Sequence, residues 1–95
     1  MSEVITEAVA ALNRRMDEGF DGLAKFVVEG EGPIMIDENG ARAADEPADV
    51  TLTADEETFR SILEGDLNPT SAFMAGRLKI DGDMGAAMRL AAALN

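Results

Sequence analysis

Apolar side chains recur at helical spacing along the first eighteen residues of the chain. The positions that share one face, at intervals of three or four residues, are Ile5, Ala8, Val9, Leu12 and Met16. Ser2 is a suitable N-cap, and Gly19 is a suitable residue to end the helix. The pattern therefore predicts an amphipathic helix from Ser2 to about Glu18.

The period then changes to two, which is typical of β-strands. Alternation predicts strands over residues 25–29, 34–37 and 49–53, with a weaker strand over 41–44. Asn39-Gly40 is a strong signal for a hairpin turn. Short strands joined by tight turns predict an antiparallel meander with one apolar face, and Met35 points away from that face. The inward positions are Phe26, Val28, Ile34, Ile36, Val50 and Leu52.

A helix is predicted directly after the strand at 49–53. Thr53 and Glu56 have the spacing of a capping box, in which each side chain satisfies a backbone donor of the other residue. Gly65 ends this helix, because glycine adopts the left-handed conformation that follows many helices. Its apolar side is formed by Phe59, Ile62 and Leu63.

A shorter helix and another strand come next. Asn68 is a suitable N-cap, and Pro69 suits the first helical position, where no backbone donor is needed. This helix carries Ala72, Phe73 and Met74 and ends at Gly76. Residues 77–81 alternate between polar and apolar side chains, so they predict a fifth strand.

The last predicted element is a helix that Asp83 caps after a turn at Gly82. Its apolar stripe is Met84, Ala87, Met88, Ala91 and Leu94. This stripe is largely alanine and buries little area, so we expect the helix to act as a mobile lid over the apolar interior. We expect Gly76 and Gly82 to serve the backbone rather than a ligand, because glycine adopts positive φ without steric cost.

The order of these elements predicts an α+β fold. No internal repeat or low-complexity linker divides the sequence, so we expect one domain over residues 1–95.

The net charge excludes some partners. With a formal charge of −11, the chain repels phosphate backbones, so we expect no nucleic-acid partner. The same charge disfavours anionic membrane surfaces, and no apolar run approaches the roughly 18 residues of a transmembrane helix. The first residues lack a basic segment followed by an apolar run, so they do not indicate a secretory signal. We therefore expect a cytoplasmic location without stable membrane insertion.

The residue types needed for most catalysis are missing. The sequence has no His, Cys, Tyr or Trp, which removes the usual general base and the thiolate nucleophile. Residues 37–40 resemble the start of a calcium loop, but Ala41 and Arg42 occupy positions that need a ligand and a glycine. A hairpin turn explains that segment better. We expect no enzyme activity, no catalytic residue, no metal and no cofactor.

The sequence resembles the sterol carrier protein type 2 (SCP-2) domain family. The similarity lies in residues 51–53 and 57–59, in 64–69, and above all in 72–84, where a helix stop, an alternating strand and a Gly-Asp turn follow in order. The family fold implied is a five-stranded, mainly antiparallel sheet with helices on one face and an apolar tunnel between them. Composition alone does not separate such a cavity from a filled core. The candidate lipid contacts are Phe59, Leu63, Phe73, Met74, Leu78, Ile80, Met84 and Met88.

The resemblance implies that the protein binds and carries an apolar ligand. Family members bind sterols, fatty acyl chains, acyl-CoA or other lipids, so the expected ligand is a fatty acid, acyl-CoA, phospholipid, isoprenoid or sterol. The alternative is that the same apolar face is covered by a second copy or by another protein. In that case the chain is a homodimer or an accessory module, as in lipid-quinone synthesis.

Overall fold

The computed structural model describes residues 3–16 and 19–94. In chain order the elements are α1 Glu3–Arg15, β1 Ala24–Val28, β2 Gly32–Asp37, β3 Gly40–Arg42, β4 Val50–Ala54, α2 Glu56–Leu63, α3 Pro69–Met74, β5 Lys79–Gly82 and α4 Met84–Leu94. The α+β prediction is confirmed. The predicted cap Ser2 and the predicted helix end Glu18 lie outside the described residues.

The five strands form one sheet in the order β3-β2-β1-β4-β5. Neighbouring strands are antiparallel except for β1 and β4, which run parallel with Ala24 opposite Val50. The predicted meander is therefore confirmed for β1 to β3 and wrong for β4. A meander would place β4 beside β3 and antiparallel to it. Instead, the chain crosses the sheet after β3 and pairs with the free edge of β1, so β4 runs parallel to β1.

The crossing segment, residues 43–49, is linked to the outer face of the sheet, the face on which Met35 is buried. Met35 faces away from Ile34 and Ile36, as the alternation predicts, yet all three have no exposed surface. The crossing segment is tied to this outer face by two ion pairs: Lys25 Nζ lies 2.7 Å from Asp45, and Arg42 lies 3.2 Å from Glu46. The outer face is thus partly covered by chain rather than by a helix.

The helices cover the inner face of the sheet. The predicted face of α1 is confirmed, since Ile5, Ala8, Leu12 and Met16 are all buried there. The ring of Phe59 from α2 meets that of Phe26 from β1, with 4.5 Å between ring centroids. The buried sheet residues below the helices are Ala24, Phe26, Val28, Ile34, Ile36, Val50, Leu52 and Ala54.

The cap of α2 differs from the prediction. The N-cap is Asp55, whose carboxylate accepts a hydrogen bond of 2.7 Å from the backbone N–H of Thr58. Thr53 instead lies within β4, opposite Lys79. The capping-box prediction was wrong because strand pairing continues through Ala54, which leaves Thr53 no part in the helix.

The start and end of α3 are confirmed. Asn68 accepts a hydrogen bond of 2.8 Å from the backbone N–H of Thr70, and Pro69 is the first helical residue. Gly76 ends the turn with φ of 78°. The strand begins at Lys79 rather than at Arg77, because the backbone N–H groups of Arg77 and Leu78 still bond the carbonyl of Ala72.

The buried face of α4 is rotated from the predicted stripe. Asp83 caps the helix as expected, through a 2.8 Å bond from the backbone N–H of Gly85. The residues that enter the core are Ala86, Ala87, Leu90 and Leu94. Two leucines with almost no exposed surface dock this helix firmly, so the expectation of little burial was wrong; its mobility stays a prediction. None of the described helices is long and apolar enough to cross a bilayer.

Candidate functional site

An open apolar groove of about 230 Å³ lies between α3, α4 and the β5 side of the sheet. We call it the α3–α4 groove. Its lining residues are Pro69, Thr70, Phe73 and Met74 from α3, Leu52, Leu78 and Ile80 from the sheet region, and Met84, Ala87, Met88 and Ala91 from α4. Thr70 is the only one of them with a polar side chain, so the groove offers almost purely hydrocarbon and thioether surface.

The rim of the α3–α4 groove is unusual for its exposed apolar side chains. In the described part of the chain, the large hydrophobic residues that remain exposed are Phe73 (41%), Met74 (82%), Met84 (47%) and Met88 (58%). All four line this groove. Since exposed apolar surface collected in one place commonly marks a binding site, the groove is the leading candidate.

The structure gathers six of the eight predicted lipid contacts at the α3–α4 groove. They are Phe73, Met74, Leu78, Ile80, Met84 and Met88. Phe59 and Leu63 lie elsewhere, at a depression between α1 and α2, where the ring of Phe59 is buried against the sheet. Sequence periodicity placed all eight on inward faces, but it does not show which inward faces share a cavity.

Five further residues line the groove and were absent from the predicted contacts: Leu52, Pro69, Thr70, Ala87 and Ala91. Leu52 was assigned only to the inner sheet face, and Pro69 only to the start of α3. The pairing of Leu52 with Ile80 across β4 and β5 brings Leu52 beside the groove. The alternation of residues 77–81 predicted that Leu78 and Ile80 face inward. It did not show that β4 is the neighbouring strand, so the position of Leu52 beside them could not be predicted.

The depression between α1 and α2 is larger, at about 510 Å³, and chemically different. Charged side chains surround it: Glu7, Arg14, Glu56, Arg60 and Glu64. Arg60 pairs with Glu56 at 2.9 Å, one helical turn away. A hydrocarbon chain placed there would desolvate ionised groups, which is costly, so size alone does not make it the better lipid site.

Two carboxyl groups, those of Asp37 and Asp55, have lowered pKa values, and neither residue lines either cavity. The guanidinium of Arg42 and the backbone N–H of Asn39 donate to Asp37 and lower the pKa of its carboxyl group. The N–H of Thr58 lowers the pKa of Asp55 in the same way, through the helix cap. Each shift has a structural cause. Among the described residues, no cluster of three acidic side chains is arranged to hold a metal ion.

Comparison with known proteins identifies the family. Residues 8–95 match the model of the SCP-2 sterol transfer family. The chain belongs to this family. Lipid binding and transfer is therefore the general class of its function, and the resemblance seen in the sequence is confirmed.

The curated SCP-2 relatives are much longer than this chain. Hydroxysteroid dehydrogenase-like protein 2 of Xenopus laevis is 36% identical over 98 residues, which cover 90% of this chain and 24% of that protein. Sterol carrier protein 2 of Homo sapiens is 47% identical over 47 residues, covering 50% of this chain and 9% of that protein. The chain thus spans a quarter or less of these relatives, and the similarity concerns their SCP-2 part.

Solved SCP-2 structures share the fold over nearly the whole chain. The sterol carrier protein domain 2 of Helicoverpa armigera is 28% identical, with a TM-score of 0.68 over 95% of this chain and 81% of that one. The sterol carrier protein-2 of Aedes aegypti in complex with palmitate is 20% identical, with a TM-score of 0.76 over 99% and 96%. The five-stranded SCP-2 sheet and its helices are thus reproduced.

Proposed function

We propose that the protein binds one long-chain fatty acid, or a lipid chain of similar width, in the α3–α4 groove and carries it unchanged. The observation that carries this proposal is the groove itself. Every lining residue except Thr70 has an apolar side chain, and four large ones are exposed. Covering them with an acyl chain removes apolar surface from water, which is favourable in proportion to the area.

The size of the groove favours a narrow ligand. Sites for drug-sized ligands usually enclose about 300 Å³ or more, whereas this groove holds about 230 Å³. A flexible chain fits a small, open groove by bending, while a rigid ring system needs width. The methionines at the rim support this, because their unbranched thioether side chains adapt to ligands of varied shape.

The palmitate complex of the Aedes aegypti protein gives independent support. That protein has the same fold, and it holds a C16 fatty acid. A fatty acid is therefore our first candidate, ahead of acyl-CoA, phospholipid, isoprenoid and sterol.

The chemistry of the groove supports carriage rather than catalysis. None of the residues that line it titrates near neutral pH. General acid–base catalysis needs a group within hydrogen-bond reach of the reacting atom, and the sequence contains neither His nor Cys. A bound chain would therefore meet only hydrocarbon, thioether and one hydroxyl group.

The alternative function, a module covered by a partner protein, draws on the exposure of Met74. Met74 lines the groove and is 82% exposed. A second copy or another chain that packed on α3 would bury it. A lipid in the groove leaves the protein monomeric, whereas a partner on α3 raises the mass of the particle, so the two functions are separated by measuring mass in solution with and without lipid.

The decisive variant is Met88→Glu, with Ala92→Glu as its matched control. Both add one carboxylate to α4, one turn apart, but Met88 lines the groove whereas Ala92 is exposed and does not. A carboxylate against an acyl chain must be desolvated without a partner. We expect Met88→Glu to weaken palmitate binding at least tenfold and Ala92→Glu to change it little, measured by displacement of a fluorescent fatty acid.

Thermal shift provides the second readout. Ligand at a hundredfold excess over its Kd stabilises the folded state by about 2.7 kcal/mol. We expect palmitate to raise the Tm of the parent and of Ala92→Glu more than that of Met88→Glu. If no fatty acid, acyl-CoA, phospholipid, isoprenoid or sterol shifts the Tm, or if the two variants respond alike, the proposed function is wrong.

A further inference from the structure

The methionines of this protein divide into two groups by exposure. Met16 and Met35 have 5% and 0% of their surface exposed, whereas Met74, Met84 and Met88 are each close to half exposed or more. The exposed three come from two helices, yet all of them line the α3–α4 groove. Met1 lies outside the described residues. Thus every described methionine with a large exposed fraction lies at the same site.

Exposed thioethers react with peroxides. In that reaction the O–O bond of the peroxide breaks, one oxygen atom is transferred to sulfur, and the peroxide is reduced to water or an alcohol while the thioether becomes a sulfoxide. The sequence has no Cys, so no thiol of this chain competes for the oxidant. Met16 and Met35 are buried, so among the described methionines the reaction is restricted to those at the groove.

A sulfoxide changes the groove in a definite way. It replaces a flexible apolar side chain with a polar, chiral one that seeks hydrogen bonds. Of the lining residues only Thr70 carries a side-chain hydroxyl, so a sulfoxide pressed against an acyl chain lacks partners. Binding a ligand must then strip water from that sulfoxide, and the loss weakens binding.

We propose that Met74, Met84 and Met88 are sites of reversible oxidation by peroxides and that their oxidation releases the lipid. The inference rests on the proposed function of the groove. It adds that the rim which receives the ligand is also an oxidant-sensitive switch, reset by methionine sulfoxide reductases, which act on both sulfoxide epimers.

The test begins with the order of oxidation. The protein is treated with increasing hydrogen peroxide, and the mass of each methionine-containing peptide is followed. Met74, Met84 and Met88 should gain oxygen well before Met16 and Met35, which serve as internal controls in the same molecule. Equal rates for the two groups would overturn the assignment of the modification sites.

The second arm measures binding. We expect the Kd for a fluorescent fatty acid to rise about tenfold once the three exposed methionines are oxidised, and to return after treatment with both reductases. In a variant with Met74→Leu, Met84→Leu and Met88→Leu, the Kd after peroxide should equal that variant's own value before peroxide. A tenfold loss in this variant, or no loss in the oxidised parent, would contradict the switch.

Failure of the proposed function has a different signature. If neither the untreated protein nor any variant binds lipid, the groove is not a lipid site and no release can follow, although the oxidation order still decides which methionines are modified. If the untreated protein binds lipid and its oxidised form binds equally well, the proposed function stands and the switch is wrong.

Discussion

At the scale of single residues, one charged contact organises the turn between β2 and β3. The carboxylate of Asp37 accepts hydrogen bonds from the Arg42 guanidinium and from the backbone N–H of Asn39. Arg42 also contacts Glu46 in the crossing segment. Asp37 therefore links the hairpin to the segment that carries the chain over the sheet, and its ionisation affects both.

The pH dependence of stability follows from this contact. Because folding lowers the pKa of Asp37, its contribution to stability is complete above its unfolded pKa, about 3.9, and is lost as pH falls towards the folded pKa. We expect Asp37→Asn to be less stable than the parent at pH 7, with the difference shrinking between pH 5 and pH 2. Urea unfolding at each pH measures the difference.

The matched control is Asp21→Asn. Asp21 is exposed and forms no ion pair with any described residue, so its replacement removes the same charge without the contact. A difference between parent and Asp37→Asn that stays constant over this pH range would show that the contact with Arg42 contributes no linked stability.

The methionines illustrate what residue-level sequence reasoning could and could not do. The sequence placed Met74, Met84 and Met88 among the candidate lipid contacts, and all three line the groove. The stripe of α4 was placed wrongly because this helix is apolar nearly all round, so its periodicity does not select one face. Leu90, off the predicted stripe, is fully buried, whereas Met88 is more than half exposed. Packing against the sheet, rather than local pattern, decided the rotation.

At the scale of elements, two glycines that end their elements face different constraints. At Gly82 the chain approaches the carbonyl of Asp49, which accepts a 2.9 Å hydrogen bond from the N–H of Asp83. A Cβ on Gly82, where φ is 112°, would lie 2.5 Å from that carbonyl oxygen. At Gly76, with φ of 78°, a Cβ would meet no atom within 4 Å.

We therefore expect Gly82→Ala to destabilise the protein more than Gly76→Ala. Positive φ costs either alanine about 1–3 kcal/mol, and only Gly82→Ala adds a clash with backbone that must shift. Urea unfolding at neutral pH gives both free energies. Neither glycine lines the groove, so the folded fraction of each variant should bind palmitate as the parent does. Equal losses of stability, or a larger loss for Gly76→Ala, would contradict this account.

The caps show why some boundaries were predictable and others were not. Asn68 with Pro69 is a local signal that nothing else competes for, and it was confirmed. Thr53 and Glu56 gave an equally good local signal, but β4 needed Thr53 for pairing with Lys79 of β5. Thr53 pairs with β5, which follows it by more than twenty residues in the chain, and so it does not cap α2. A local sequence pattern does not show such a distant strand partner.

At the scale of the whole molecule, the net charge of −11 is the dominant electrostatic property. The described ion pairs involve only Lys25, Arg42 and Arg60 among the cations, so most carboxylates repel one another. Folding brings these charges closer together, which costs free energy that salt reduces by screening.

We expect the Tm to rise with ionic strength. Between 0.01 M and 0.15 M salt the Debye length falls from about 30 Å to about 8 Å. A rise of about 4–8 °C, equal to about 1 kcal/mol for a chain of this size, is the expected result by calorimetry. Sodium chloride and tetramethylammonium chloride should act alike, since screening does not depend on the cation. A Tm that falls with both salts would show that the ion pairs outweigh the repulsion.

The order of the sheet has a consequence for how the protein is made. The meander of β1 to β3 is complete once the first 42 residues have left the ribosome, but the neighbour on the other edge of β1 arrives only with Val50–Ala54. Until then Phe26 and Val28 sit beside an unpaired strand edge, the arrangement that recruits foreign strands. Closing this long-range parallel pair is an entropically slow step. Nascent chains that stall before residue 50 should therefore aggregate, whereas chains released after β4 can close the edge on their own.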